Sequence, residues 1–329
     1  MPGPARHAIF CCPYPSRTNP LDNILQRRAA LFLTRYKNYF EYALFLILNA
    51  VARVLPRRLA LKLGALIGAC TPYLIPKRKQ TAYANLRRAF PEKSEAEIRS
   101  IMAKMFRHLG KSAFEMLLVD TFKTDRDLER YFKFHGLEHL REAYALDRGL
   151  FIVSGHIGFW EVGTFFLGAL GFPADFVAKQ MRNPYIGRHF EKLREAGGGR
   201  VIDARQGARR IVRSLAEKRV VCVLLDQHTA PKTSVKVDFF GRPAYTTPII
   251  TQIAMKYDVP IVPVFTYRTE DDRYQVYCEP ALRLANDPTP ETIAKQTALL
   301  TAHIEAAVRK APHQWFWVHR RWRDKPVRA

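Results

Sequence analysis

Residues 150–161 read Leu150-Phe-Ile-Val-Ser-Gly-His-Ile-Gly-Phe-Trp-Glu161. Four apolar residues, a glycine-bracketed turn carrying His156, and an apolar run from Gly158 make a strand, a turn and a helix over 158–170. The same unit recurs downstream: a strand at 175–178 before a helix at 184–196, a strand at 200–202 before a helix at 206–218, and a strand at 220–225. A helix at 246–257, strands at 260–266 and 274–279, and a helix at 290–310 complete the chain. Alternation at this spacing predicts an α/β fold with a mostly parallel central sheet flanked by helices. Ligands in such folds gather beyond the carboxyl ends of the strands. The segments to search are therefore 154–161, 178–183, 226–232 and onward from Tyr267.

Upstream the texture is different. Residues 1–20 are proline-rich and read as poorly ordered, and 21–120 read as helices throughout. Ser94 and Glu97 have capping-box spacing, marking one helix start. Two charge-free stretches, 42–52 and 63–76, are 11 and 14 residues long. Both fall short of the about 20 apolar residues a spanning helix needs. Cations bracket them: Arg27, Arg28, Arg35 and Lys37 before, Arg57, Arg58 and Lys62 between, Lys77, Arg78 and Lys79 after. Apolar helices flanked by Lys and Arg suit an anionic membrane surface; the alternatives are buried core helices and a true span. The chain divides into an N-terminal segment 1–20, an apolar helical membrane-binding region 21–120, and an α/β core 121–329.

The chain has 329 residues, 48% hydrophobic and 25% charged, which excludes a mainly disordered protein and a polytopic membrane protein. Lys and Arg number 53 against 30 Asp and Glu, a net charge of +23. Such a surface attracts nucleic acid, anionic lipid headgroups or an acidic protein, and composition does not choose among them. The five cysteines form no C-x-x-C pair and no metal-ligand spacing, so no metal or cofactor is expected and reduced thiols are.

Four segments carry chemistry. In the first, His156 can act as a general base with Glu161 a carboxylate to hold its tautomer, or the segment is an N-capping turn with a satisfied histidine. Positions five apart on a helix diverge by about 140°, so the two meet only if His156 precedes the helix. His319 and Asp324 share this spacing, but no strand precedes them and Arg320, Arg321 and Arg323 surround them. In the second, Asp226 and Gln227 end a strand and lead into a loop with Lys232, a binding loop for phosphate or a pantetheine-like chain or else a polar connection. The third holds Lys179, Arg182, Arg188, Lys192 and Arg194, an anion site or a solvated face. The fourth, 315–324, interleaves aromatic and arginine residues and suits an interfacial anchor, a nucleic-acid stack or a packed C-terminal strand.

Ordered landmarks from about Tyr39 to Pro326 resemble the late acyltransferases of lipid A biosynthesis. They are Arg78, Asn85-Leu-Arg-Arg-Ala-Phe-Pro91, Gly155-His156 with Trp160-Glu161, Asn183-Pro184, Asp226-Gln227 with Pro231-Lys232, Phe239-Phe-Gly-Arg-Pro-Ala244, Thr246-Thr247, and Trp317-Val-His-Arg-Arg321. The resemblance, which extends to phosphatidylinositol mannoside acyltransferases, implies acyl transfer from an acyl carrier protein thioester to a hydroxyl of an anionic glycolipid, at the cytoplasmic face of a bacterial inner membrane. It implies His156 as base and Glu161 as its partner. Lys179, Arg182, Asn183, Asp226, Gln227, Lys232, Arg242, Arg320 and Arg321 are the substrate-binding candidates. Two residues depart from the family's pattern: Lys179 stands where an arginine is usual, and His228 where many members carry an acid or amide. A basic nucleic-acid-binding protein is the alternative; it leaves the apolar N-terminal helices and the His156 turn unexplained.

Overall fold

The structure, a computed structural model, describes residues 20–323. Asp324 and all but the last residue of the 1–20 segment lie outside them. Four helices come first: α1 (Pro20–Val54), α2 (Arg57–Leu74), α3 (Pro76–Ala89) and α4 (Glu95–Met116). Pro56 precedes α2 and Pro76 opens α3, positions where the missing N–H costs nothing. The capping box forms as expected, Glu97 N donating to Ser94 Oγ at 3.3 Å and Ser94 N to Glu97 Oε2 at 2.9 Å. α2 and α4 meet across glycines. A Cβ on Gly68 would stand 2.2 Å from the Phe106 carbonyl oxygen, so a larger residue would force the helices apart.

α1 exposes Phe32, Leu33, Phe40, Leu44 and Ile47, and α2 exposes Leu66, Tyr73 and Leu74. Among the described residues no single helix is long and apolar enough to cross a membrane; α2 and α3 reach that length only as a pair bent by 94°.

Then follow α5 (Asp125–Tyr131), β1 (Phe132–His135), α6 (Leu137–Ala145), β2 (Leu150–Ser154), α7 (Gly163–Ala169), β3 (Ala174–Ala178), α8 (Pro184–Glu195) and β4 (Arg200–Asp203). The chain continues with α9 (Gly207–Ala216), β5 (Val220–Leu224), β6 (Val235–Asp238), β7 (Pro243–Thr246), α10 (Ile249–Tyr257), β8 (Ile261–Arg268), β9 (Tyr274–Cys278) and α11 (Pro290–Lys310). Seven strands form one sheet in the order β1-β9-β8-β2-β5-β3-β4. Only the β8–β9 pairing is antiparallel. The α/β fold and mostly parallel sheet are as the alternation predicts.

Three details differ from the sequence reading. β1 and the antiparallel β6–β7 hairpin were not expected: their strands are four residues long and, unlike β4, lie outside the strand–helix alternation of residues 150–225 that gives a short run its reading. The helix after the His156 turn also starts late. Gly158 adopts φ +59°, and a 3-10 turn (Trp160–Val162) precedes α7. The core lies on both faces of the sheet, with Phe151, Val221, Ile261 and Ile304 on one side and Ile152, Phe166, Val262 and Val276 on the other. This alternation along β2 is the pleat's period of two.

Candidate active site

β2 and β5 lie side by side and in parallel, with Ser154 opposite Leu224. Two residues further along each strand come His156 and Asp226, so register brings them together at the carboxyl edge of the sheet. Asp226 Oδ1 accepts from His156 Nδ1 at 2.7 Å. Its Oδ2 accepts from the His156 backbone N–H at 2.7 Å and from Trp315 Nε1 at 2.6 Å. Burial alone would raise the pKa of this carboxyl; His156 and the three donated hydrogen bonds outweigh burial and bring it to about 2. An ionised carboxylate only accepts, so Nδ1 of His156 carries the proton and Nε2 keeps a lone pair. Gln227 Nε2 lies 3.1 Å from that atom.

The C-terminal segment crosses over this turn. Phe316 N donates to the His156 carbonyl at 3.2 Å, and Gly158 N to the Gln314 carbonyl at 2.9 Å. Asn85 of α3 holds the segment from outside, donating to the carbonyls of Trp317 at 2.8 Å and His319 at 2.7 Å. His108 of α4 bonds the Gly158 carbonyl at 3.0 Å. Gly158 has no room for a side chain, since a Cβ would lie 1.8 Å from the Thr266 oxygen.

His156 opens onto a cavity of about 680 Å³. Its lining includes the polar and charged His156, Glu161, Lys179, Arg194, Arg205, Gln227 and His228. Phe166, Leu167, Phe176, Ile211, Val223 and Ile250 are among its apolar members. Glu161 does not bond to His156. Arg194 grips its carboxylate with two hydrogen bonds of 2.8 and 2.9 Å, and the two side chains are 13% and 14% exposed. The expected His156–Glu161 pairing is thus replaced by His156–Asp226. The 3-10 turn aims Glu161 toward α8, while strand register delivers Asp226 to Nδ1.

The profile of the bacterial lipid A biosynthesis acyltransferases matches residues 30–324. The chain belongs to this family. It is 26% identical over 275 residues to a lipid A biosynthesis acyltransferase of Haemophilus influenzae, covering 83% of this chain and 84% of that one. Identity to the lipid A biosynthesis lauroyltransferase of Escherichia coli is 28% over 279 residues, 83% and 88% of the two chains. A phosphatidylinositol mannoside acyltransferase of Mycobacterium tuberculosis shares 25% over 217 residues, 64% of this chain and 66% of its own.

Within this acyltransferase, His156, Glu161, Lys179, Asp226 and Gln227 meet around one cavity. The other candidates do not line it. Asn183 is buried and caps α8, its Oδ1 accepting from Tyr185 N at 3.1 Å. Its Nδ2 reaches the Asn38 carbonyl of α1 at 2.8 Å, so this residue joins two helices. Arg182, Lys232, Arg242 and Arg320 are exposed.

Arg321, a substrate-binding candidate that could equally pack the C-terminus, is fully buried. It donates to the carbonyls of Gln227 at 3.0 Å and Tyr245 at 2.8 Å and to Thr246 Oγ1 at 2.6 Å, bracing the residue that faces His156. Burial lowers its pKa to about 10, opposed by Asp226.

His319, the other histidine of the repeated spacing, is pushed to about 4, chiefly by burial. Trp315, Trp317 and Trp322 are buried with Arg321, so the aromatic and basic run is packed core and presents no stack to nucleic acid. Nothing in the family match supports the nucleic-acid alternative. Trp315 and His108 are site residues to which sequence reasoning gave no role, and Arg194, read as part of an anion site or a solvated face, pairs instead with Glu161. All three act through partners 33 or more positions away, beyond the reach of any local pattern.

Proposed function

We propose that this acyltransferase moves a fatty acyl group from an acyl carrier protein thioester to a hydroxyl of an anionic glycolipid such as a lipid A precursor, at the cytoplasmic face of a bacterial inner membrane. The observation that carries this reading is the His156–Asp226 pair opening onto a largely apolar cavity of about 680 Å³. An acyl chain gains about 0.8 kcal/mol for each methylene it buries there.

The acceptor hydroxyl displaces the Gln227 amide and gives its proton to His156 Nε2 as its oxygen attacks the thioester carbonyl. Asp226 stabilises the imidazolium that forms. Lys179, exposed on the cavity rim, is the cation nearest in role to an oxyanion donor, though as a point charge without arginine's fork. The tetrahedral intermediate collapses, the C–S bond breaks, and the leaving thiolate takes the proton from His156. Ester and free thiol are the products, and the base is regenerated.

The apolar faces of α1 and α2, bracketed by Lys and Arg, supply a surface for the bilayer that holds the acceptor. Arg320, Arg182, Lys232 and Arg242 remain as exposed cations for acceptor phosphate or acidic carrier. Purified protein incubated with dodecanoyl–acyl carrier protein and a hypoacylated lipid A should yield the added acyl ester by mass spectrometry. His156→Ala should yield about 10²-fold less or lower still. Equal product from both would refute the assignment.

A further inference from the structure

We infer that Trp315 is a positioning residue for acyl transfer: its indole N–H pins the Asp226 carboxylate so that Oδ1 faces His156 Nδ1. The inference rests on the reading of His156 as the base. Trp315 is almost wholly buried and reaches Asp226 Oδ2 at 2.6 Å. The same oxygen accepts the His156 backbone N–H at 2.7 Å, so two donors fix Oδ2 and leave Oδ1 for the imidazole. Without the indole, Oδ2 would keep a single donor, the His156 N–H, and the carboxylate could swing about that one bond. With both donors it presents one geometry to Nδ1, and the tautomer with the lone pair on Nε2 persists.

Trp315 is itself locked. Residue Ile157, next to His156, forms a bridge with it. Trp317 packs edge-on against it at 4.5 Å and Phe239 at 5.6 Å. The indole therefore keeps its aim without help from substrate. Its neighbour supplies an internal contrast: Trp317, equally buried and in the same aromatic cluster, donates its N–H to the Pro312 carbonyl and not to Asp226.

The test is a pH–rate profile. Trp315→Phe keeps an aromatic ring in the cluster and removes the donor together with part of the indole, a volume loss that Trp317→Phe reproduces without touching Asp226. With one N–H fewer, the Asp226 carboxylate becomes a stronger partner for the imidazolium, so His156 holds its proton to higher pH. Transfer needs neutral His156, so the acid limb moves upward. The other groups around the pair are Gln227, Glu161, Lys179, Arg194, Arg205 and His228 in the cavity and His319 and Arg321, which feel the Asp226 charge. None is altered by the substitution.

With dodecanoyl–acyl carrier protein and hypoacylated lipid A as probes, Trp315→Phe should shift the limb by ~0.5 pH unit or more and lower kcat about tenfold, KM for both staying within about twofold. Trp317→Phe should leave the limb in place. A Trp315→Phe profile coincident with wild type, or an equal shift in Trp317→Phe, overturns the inference. Wild-type turnover in His156→Ala would instead overturn the reading beneath it. Should Trp315→Phe not fold, the indole N–H resonance of Trp315 gives a second measurement. It should be protected from exchange in the otherwise unaltered protein and lose that protection in Asp226→Ala, which has no acceptor there; unchanged protection counts against the inference.

Discussion

The side-chain Nε2 of Gln227 lies 3.1 Å from Nε2 of His156, an amide set against the atom that takes the substrate's proton in the proposed mechanism. In that mechanism a hydroxyl reaches His156 only by taking the place of the amide. Arg321 holds the Gln227 backbone from behind at 3.0 Å, so displacement falls to the Gln227 side chain alone.

Replacing this amide with an acid should retune the base. In Gln227→Glu a carboxylate faces Nε2, favours the imidazolium and moves the acid limb of kcat/KM upward by about one pH unit. Gln227→Ala should leave the limb near its wild-type position. Profiles of the two variants decide it: a limb unmoved in Gln227→Glu would mean that the side chain does not face the base during turnover.

Asp226 and Glu161 should fail differently. Asp226→Asn presents an amide to Nδ1, disfavours the working tautomer and should cost about 10²-fold or more in kcat. Glu161→Ala should also lose transfer, but because it strands the nearly buried Arg194 in the cavity wall. Removing that cation as well, in Glu161→Ala/Arg194→Ala, should recover part of the loss. No recovery in this double-mutant cycle would show that Glu161 contacts the reacting groups itself.

His108 makes a pH-dependent contribution to stability. Burial, then Arg268, lowers its pKa from 6.5 to about 3, so in the folded chain it stays neutral where the unfolded chain takes up a proton. Stability is therefore lost as pH falls below 6.5 and continues to fall toward 3, at up to about 1.4 kcal/mol per pH unit. Glutamine can keep a donor toward the Gly158 carbonyl and does not titrate. Unfolding midpoints of His108→Gln between pH 4.5 and pH 7, roughly the span over which the unfolded histidine takes up its proton, should vary less with pH than those of the wild type. Parallel curves would contradict this account.

The apolar faces of α1 and α2 should keep the protein on membranes when charge is screened. In sedimentation with vesicles of anionic lipid, high salt should weaken binding without abolishing it. Phe40→Asp/Leu44→Asp should reduce binding at every salt concentration. Full solubility of the wild type in the presence of vesicles at low salt would remove the membrane from the proposed function.

What could be read along the chain was whatever local periodicity encodes. β2, β3, β5 and their helices stood out because a buried parallel strand is a short apolar run and an amphipathic helix repeats every three to four residues. The Ser94–Glu97 cap was visible because its partners lie three residues apart, and the His156 turn because two glycines bracket it. The choice of partner for His156 was not visible. Spacing favoured Glu161, five positions away, but Asp226 is 70 positions away and arrives only because Ser154 pairs with Leu224. Likewise the sequence left Arg321 between binding substrate and packing the C-terminus, and packing makes it a buried brace. A residue's type is a property of the chain; which donor meets which acceptor depends on strand register and on the crossing of distant segments, and those arise only when the sheet closes over its core.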